Sequence, residues 1–304
     1  MMFATRLVAA GMVVLGLMVP ALAQEREVLG WGRLASNDAT GDGQDRWRTG
    51  SYSLSLLRGP EWTGTLPTQP GAILEYRLRA EAIAPESLTK ANPADRRYVG
   101  ALSFGLHSHF DLRGYEAAVG LDVIVTGPQS GISAIQERLH AALDLPKPTV
   151  TANQIGNDSH LMLSGELGRN IALSGTATLR PFVAAQLGGE TLLRMGADVT
   201  LGRFGHGGLM LRDPVTGQRY RGVRGETVPG LSLVAGADVA RVWDSLYLPA
   251  SGVGVEPIRS RARIGVHWQG AKADVFGGLT WLGPEFQGQR EGQVLGSVGL
   301  HIKF

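Results

Sequence analysis

The chain ends in Val294-Leu295-Gly296-Ser297-Val298-Gly299-Leu300-His301-Ile302-Lys303-Phe304, where apolar and polar side chains alternate. One face carries Val294, Val298, Leu300, Ile302 and Phe304, and the other carries Ser297, Gly299, His301 and Lys303. A period of two predicts a β-strand with one apolar face. A half-buried strand of a soluble sheet and a spanning strand of a membrane barrel both show this pattern, so the rest of the chain has to separate them.

The same alternation recurs along the whole chain and predicts twelve strands of about ten residues. They cover residues 27–36, 49–58, 72–83, 97–108, 115–126, 158–169, 175–187, 191–202, 230–242, 260–269, 272–282 and 294–304. Ten residues is the length that a tilted strand needs to cross a bilayer. Short turns alternate with longer loops, as at the two ends of a membrane barrel, and an open sheet edge is not tolerated in hydrocarbon. We therefore expect an all-β fold, an antiparallel twelve-stranded transmembrane β-barrel with apolar residues facing lipid and polar residues facing the lumen.

The first 23 residues have the parts of a secretory signal peptide. Arg6 supplies a positive charge, an apolar run extends from Leu7 to Pro20, and Ala21-Leu22-Ala23 provides a small-residue cleavage site. The apolar run is short for a spanning helix. We expect a signal peptide over 1–23 and an outer-membrane barrel domain over 24–304, in the bacterial outer membrane.

Composition excludes several kinds of function. With 29 basic against 27 acidic residues, the charge is too balanced to favour nucleic-acid binding. The absence of cysteine excludes disulfides, thiolate metal sites and a cysteine nucleophile. No Gly-x-Ser-x-Gly elbow is present, so nothing supports a serine nucleophile in a hydrolase sheet.

Three outward-facing segments carry polar residues that could take part in chemistry. Asn37 and Asp38 follow the first strand, Thr49 begins the second, and His140 belongs to a short helix predicted over 132–143 in the loop 127–157. Apolar residues at helical spacing leave His140 on a separate face of that helix. These four side chains could meet at one rim of the barrel.

Taken singly, each of these residues also has an ordinary structural interpretation. Asn37 and Asp38 are common turn formers, Thr49 could simply begin a strand, and His140 could be a solvated histidine on a helix. His107 and His109 are interpreted as a polar strand end rather than a metal pair, and Trp31 as a lipid-facing aromatic.

The order of these motifs resembles the outer-membrane lipid A 3′-O-deacylase family (LpxR-like). The resemblance is carried by Asn37-Asp38, Thr49-Gly50, Gly127-Pro128, Gln136-x-x-x-His140 and Asn153-Gln154-Ile155, together with the C-terminal strands. It implies an esterase that removes the 3′-linked acyl chain of lipid A in lipopolysaccharide, within the lipid of the outer membrane. It also implies that the barrel assembly machinery reads the terminal Phe304.

The resemblance further implies Asn37, Asp38, Thr49 and His140 as catalytic residues and a calcium ion (Ca²⁺). His140 would act as the general base on water, and Asp38 and Asn37 would supply oxygen ligands to the metal. Thr49 would donate a hydrogen bond to the oxyanion or hold the water.

The chain departs from the family pattern at two places. The acidic residue that some members carry six positions after the histidine is Pro146 here, and Asp144 is the nearest substitute. A lysine–arginine pair of the second outer loop has only Lys90 as a candidate.

Alternatives of other classes remain. A catalytically inactive relative or a small structural or transport barrel would have the same strands. An outer-membrane phospholipase would share calcium and barrel size, but it needs a serine beside a histidine that the sequence does not place.

Overall fold

The computed structural model describes residues 26–270 and 273–302, within which the chain forms fifteen strands and one α-helix. The strands are β1 (Glu27–Asn37), β2 (Trp47–Gly59), β3 (Ile73–Ala84), β4 (Val99–Leu112), β5 (Tyr115–Thr126), β6 (Asp158–Gly168), β7 (Ile171–Ala172), β8 (Ala177–Leu187), β9 (Glu190–Leu201), β10 (Leu209–Arg212), β11 (Arg219–Val223), β12 (Gly230–Ser245), β13 (Ile258–Gln269), β14 (Ala273–Leu282) and β15 (Gln293–Ile302). The helix α1 covers Ile132–Ala142, and 3-10 turns cover Asp38–Thr40, Pro128–Ser130 and Val150–Asn153. The predicted signal peptide over 1–23 and the terminal Phe304 lie outside the described residues.

Twelve of the strands form a closed antiparallel barrel. Each of β1–β6, β8, β9 and β12–β15 pairs with its neighbours, and the pairing of β1 with β15 closes the cylinder. The twelve predicted strands correspond to these twelve in order. The predicted all-β barrel is thus confirmed, and most boundaries differ by one or two residues.

Alternation separates the two faces of the wall as the sequence predicts. Large apolar side chains such as Leu161, Ile264 and Leu300 point outward and are 62%, 60% and 54% exposed. Their strand neighbours point inward, where arginines meet carboxylates. Arg77 binds Glu75, Arg194 and Arg261 bind Asp238, and Arg263 binds both Asp198 and Asp238. Since an unpaired charge is costly away from water, these pairs let charged side chains fill the lumen.

A hairpin fills the lumen. It belongs to stretch 203–229 between two predicted strands, and the expectation that this stretch lies at the periplasmic end of the barrel was wrong for the hairpin, which packs against inward residues of the wall. Its strands β10 and β11 pair with each other and belong to no part of the wall. Leu211 and Tyr220 pack with inward residues of the wall in one buried apolar cluster. Arg212 on β10 binds Glu166 of β6 at 2.7 Å and Asp198 of β9 at 2.8 Å. The hairpin is therefore fixed to the wall by both apolar packing and ion pairs.

Two glycines allow β1 to pack closely against this hairpin. A Cβ added to Gly30 would lie 2.3 Å from the Gly222 carbonyl oxygen, and one added to Gly32 would lie 2.9 Å from that of Arg221. Only glycine permits β1 and β11 to approach this closely.

For His107 and His109 the expected side-chain environment was wrong. They lie inside β4, and both are buried in the lumen rather than marking a polar strand end. His107 Nε2 lies 3.3 Å from Asp122, and His109 Nε2 lies 2.7 Å from Glu75. Alternation along β4 places both inward, so they join the charge pairs of the lumen.

No helix in the described ranges is long and apolar enough to cross a membrane.

Candidate functional site

The site is built around an irregular start of β2. Trp47 pairs with Ala84 and Gly50 pairs with Ala82, so β2 carries one extra residue in a β-bulge. Trp47, Arg48 and Thr49 are consequently all buried, where a regular strand would turn every second side chain outward. Asp45 and Trp47 have φ angles of 48° and 51°, in the left-handed region that non-glycine residues seldom adopt. Strain and a bulge at one point are typical of functional sites.

Asn37 ends β1 and fixes the turn that follows it. Its side-chain oxygen accepts the Ala39 N–H at 2.8 Å and caps the 3-10 turn Asp38–Thr40. Its side-chain nitrogen donates to the Thr49 carbonyl at 2.7 Å. Asn37 therefore joins the end of β1 to the start of β2 at one end of the barrel, which we call the site end.

Asp38 is a buried carboxylate, with 1% of the residue exposed. Its Oδ2 accepts the Arg46 N–H at 2.9 Å. Burial, together with the nearby Asp45 carboxylate, raises the pKa of Asp38 to about 7, even though hydrogen bonds from Arg46 and Thr49 act to lower it. A buried carboxylate beside a second one favours either a proton or a cation.

Asp45 connects Thr49 to His140. The Thr49 hydroxyl donates to Asp45 Oδ1 at 2.6 Å, and Asp45 Oδ2 lies 3.3 Å from His140 Nε2. His140 is 5% exposed, whereas the Asp45 side chain is 39% exposed and open to solvent. The chain thus brings Asp38, Asp45, Thr49 and His140 together from two loops, as expected for three of them.

The second nitrogen of His140 is held by the backbone. Nδ1 lies 2.8 Å from the Pro146 carbonyl oxygen, which can only accept, so Nδ1 carries a proton. Asp144 was expected to take the place of an acidic residue at position 146; its side chain is exposed, and both ring nitrogens of His140 face other partners. The proline carbonyl fulfils the orienting role that a carboxylate would have had.

Helix α1 is held with its polar face inward. The Tyr98 hydroxyl donates to the Gln136 side-chain oxygen at 2.7 Å, and Ile132, Ser133, Gln136 and His140 are buried. The opposite face exposes Ile135, Leu139 and Leu143, which are 59%, 53% and 60% exposed. This arrangement inverts the usual amphipathic helix, whose apolar stripe faces a core.

A network of charges supports the site end from inside. Glu285 lies at its centre, 2.9 Å from Arg48 and 2.7 Å from Arg96, with Arg259 3.7 Å away. Arg48 also pairs with Glu81. Burial alone would raise the pKa of Glu285, but the guanidinium groups of Arg48, Arg259 and Arg96 hold it well below its ordinary value. Lys90, the candidate for a basic residue of the second loop, is exposed, and Arg96 from that loop is buried in this network.

The described residues contain no group of three or more His, Cys, Asp or Glu side chains arranged to hold a metal ion. Side-chain oxygens near Asp38 are nonetheless of the kind that calcium prefers. One oxygen of Asp38 is bound by a backbone N–H, and that of Asn37 by Ala39, but each oxygen has a further lone pair.

Asp45 is the residue that sequence reasoning missed. It stands four residues before Thr49, in a stretch that also carries Asp38 and Asp42. That local excess of acids was the available signal. The left-handed backbone that turns Asp45 toward His140 could not be read from the residue types.

A closed antiparallel barrel with an apolar exterior and a charged, filled interior defines this protein as a β-barrel of the outer membrane. The chain belongs to the family described as outer membrane protein LpxR, whose model matches residues 8–304.

The chain is similar to solved outer-membrane barrels. LpxR from Salmonella typhimurium matches with a TM-score of 0.74 and 20% identity, over 90% of this chain and 100% of that chain. The β domain of the Bordetella autotransporter BrkA matches with a TM-score of 0.48 and 11% identity, over 91% and 99% of the two chains. At 20% identity, the likeness to the Salmonella protein shows the fold alone. Among curated proteins no match is found.

Proposed function

We propose that this protein is a carboxylic ester hydrolase of the outer membrane that removes the 3′-linked acyl chain of lipid A. The observation that carries the proposal is the contact of His140 with Asp45, beside Thr49 and Asp38, at one end of an LpxR-family barrel. The filled lumen speaks against the alternative of a transport barrel.

His140 is the general base of this reaction. The Pro146 carbonyl holds the proton on Nδ1, so Nε2 is the nitrogen that takes a proton from water. The resulting imidazolium faces the Asp45 carboxylate at 3.3 Å, which stabilises its charge. The deprotonated water attacks the ester carbonyl, the bond between the acyl carbon and the sugar oxygen breaks, and the imidazolium returns its proton to the sugar oxygen, so that a free carboxylic acid and a sugar hydroxyl are formed.

Thr49 is a positioning residue in this scheme. Its hydroxyl donates to Asp45, and its carbonyl receives the Asn37 amide. Asn37 and Thr49 therefore fix the connection between β1 and β2, which carries the carboxylates of Asp38 and Asp45. This contact also keeps Asp45 close to His140.

Calcium is proposed as the cofactor, with Asp38 and the Asn37 side-chain oxygen as ligands. Support comes from the buried Asp38 carboxylate, whose raised pKa of about 7 reflects burial and a nearby Asp45 charge that a cation would neutralise. When bound, calcium would polarise the ester carbonyl.

The exposed apolar face of α1 supports an amphiphilic substrate. Ile135 and Leu139 lie on the same helix as His140, Leu143 follows directly after it, and the exposure of these side chains to water would be unfavourable. We propose that the site end faces the outer leaflet, where this face meets acyl chains, and that Phe304 is read by the assembly machinery.

Lipid analysis tests the activity. The chain is expressed in a host with hexa-acylated lipid A, and mass spectra are recorded with calcium and with a chelator. We expect lipid A to lose the 3′ acyloxyacyl group when calcium is present. We expect it to keep this group when a chelator is added or when the host expresses the His140→Ala variant. An unchanged spectrum from a barrel that migrates as folded on an unheated gel would reject the proposed deacylase activity. An active His140→Ala variant would show that His140 is not the general base.

Calcium binding is tested without reference to activity. Calorimetric titration of the detergent-solubilised barrel should show calcium binding that Asp38→Asn abolishes and Asp144→Asn preserves. Equal binding by the wild-type protein and Asp38→Asn would contradict the proposed ligand.

A further inference from the structure

A row of lipid-facing positions crosses half of the barrel and ends at the site. The strand registers pair Val199 with Ala235, Ala235 with Ile264, Ile264 with Leu279, Leu279 with Gly296, and Gly296 with Asn37. Each of these positions points away from the lumen. At its last step the row reaches the residue that precedes Asp38.

The row also changes height across the wall. Asn37 is the last residue of β1, at the site end, and Val199 stands two residues before the far end of β9. Leu279 and Ile264 lie at intermediate depths on β14 and β13. Because barrel strands are tilted by roughly 35–45°, a row perpendicular to them descends through the bilayer. Five inter-strand spacings of ~4.8 Å give a path of ~24 Å along the wall.

This descending path is a groove. Its volume is about 660 Å³, and apolar side chains including Leu233, Ile264 and Leu279 line it. Small residues create the recess, since a Cβ added to Gly277 would meet nothing within 4 Å. Thr40 lines the end of the groove nearest the site.

The turn that carries Asp38 folds onto the outer wall at this point. A Cβ added to Gly296 would lie 2.4 Å from both the carbonyl and hydroxyl oxygens of Thr40, so glycine is needed for this contact. The Thr40 hydroxyl donates to the Asn37 carbonyl at 3.0 Å. Groove and site therefore share one continuous segment, Asn37–Thr40.

We infer that this groove, the wall groove, binds an acyl chain of the lipid substrate while its ester lies at the site. The inference rests on the proposed hydrolase function and adds the binding site of the hydrocarbon chain. An acyl chain runs from the head-group level into the bilayer, as the groove does. The remainder of the outer wall is also apolar, but this groove leads to the turn that holds Asp38.

The test uses a photoreactive substrate and a filled groove. Lipid A that carries a diazirine at the end of its 3′ acyl chain is bound to the His140→Ala variant of the barrel in detergent, and the complex is irradiated. Peptide mass spectrometry then identifies the crosslinked residues. Crosslinks are expected on β12–β14. Gly277→Leu fills the recess and should reduce them at least fivefold. In the His140-containing enzyme it should lower kcat/KM for the long-chain substrate roughly tenfold, since lost methylene contacts have effects of this size.

Gly165→Leu is the matched control. Gly165 is a lipid-facing glycine of β6, outside the groove, where an added Cβ meets only the Ala118 carbonyl at 3.7 Å. It should leave crosslinks and kcat/KM unchanged, and all variants should keep heat-modifiable migration. Ala235→Phe, a second filling variant, should repeat the Gly277→Leu result.

Failure of the groove and failure of the hydrolase give different results. Crosslinks spread evenly around the barrel, or confined to α1, would overturn the wall groove, as would equal behaviour of Gly277→Leu and Gly165→Leu in an active enzyme. A wild-type protein that releases no acyl chain would reject the hydrolase, and the crosslinks would then still decide whether the groove binds the chain.

Discussion

At the scale of single residues, Asp45 is the feature that distinguishes this site. It adopts a left-handed backbone conformation, receives the Thr49 hydroxyl and faces His140. In the proposed reaction, a carboxylate beside Nε2 would stabilise the imidazolium, because a nearby opposite charge favours the charged form. Asp45 would then have an electrostatic role that neither the exposed Asp144 nor the uncharged Pro146 carbonyl can supply.

Asp45→Asn should lower kcat by roughly 10²-fold or more, as expected when the anionic partner of a catalytic histidine is removed. The initial rate of acyl-chain release from detergent-solubilised lipid A measures this loss. Asp144→Asn is the control and should leave kcat unchanged; an unchanged kcat of Asp45→Asn would show that the Asp45 carboxylate is not needed for the reaction.

Thr49 gives a second prediction at this scale, because its role depends on one hydroxyl group. Thr49→Ser keeps the donor to Asp45 and should retain activity within about threefold, whereas Thr49→Val keeps the shape and should lose at least tenfold, since a donor to a charged partner contributes about 1.5–3 kcal/mol. Initial rates of acyl release measure both. Equal rates for the two variants would show that the hydroxyl is not needed.

At the scale of elements, ion pairs from separate loops and strands hold the site end together. Glu285 from the β14–β15 connection joins Arg48 of β2 to Arg96, which precedes β4. Both arginines are buried, and Arg48 keeps its pair with Glu81, but removing the shared carboxylate takes away the carboxylate that pairs with Arg96. The loops around the site are therefore stabilised by the same group.

Glu285→Gln should destabilise the barrel by about 3–5 kcal/mol at neutral pH, the range for breaking a buried ion pair. The pKa of Glu285 is lower in the folded state than in the unfolded state, so its stabilisation is complete above the ordinary glutamate value and declines as pH falls below it. Urea unfolding in detergent, followed by tryptophan fluorescence at pH 7 and at pH 3, measures the difference. A gap between the wild-type protein and Glu285→Gln that widens in acid would contradict this assignment.

At the scale of the whole molecule, charged side chains and a hairpin fill the lumen of the barrel. The β10–β11 hairpin occupies the interior and is fixed by Arg212 to both β6 and β9. Its buried ion pairs are costly to separate in an interior of low polarity. In the part of the barrel that the structure describes, the hairpin therefore occupies space that water and ions would need to pass.

Planar-bilayer recordings should show no steady conductance from the wild-type barrel. Replacing residues 209–223 by a short Gly-Ser linker should produce ion-conducting events, because the charged inner wall would then face water. Arg212→Ala, a milder change, should give only brief openings and serves where the deletion does not fold. Steady conductance from the wild-type barrel would contradict a filled lumen.

Much of this architecture was predictable, because membrane strands carry a period-two pattern over about ten residues. Twelve strands and the convergence of Asn37, Asp38, Thr49 and His140 followed from that pattern and from the family resemblance. The hairpin did not, since β10 and β11 have only four and five residues and a lumen environment that mixes apolar and charged side chains. Asp45 and the Pro146 carbonyl were missed because backbone conformation, not residue type, directs them toward His140.

The seam between the first and last strands has a consequence for how the molecule is made. Within the described residues, β1 pairs with β15 only at Ala35, Ser36 and Asn37, while Gly30 and Gly32 lie against β11. In this part of the structure, the first half of β1 is supported by the hairpin rather than by ladder pairs with β15. We therefore expect the hairpin to insert before β1 and β15 pair. A barrel whose end strands paired first would leave the hairpin outside the lumen.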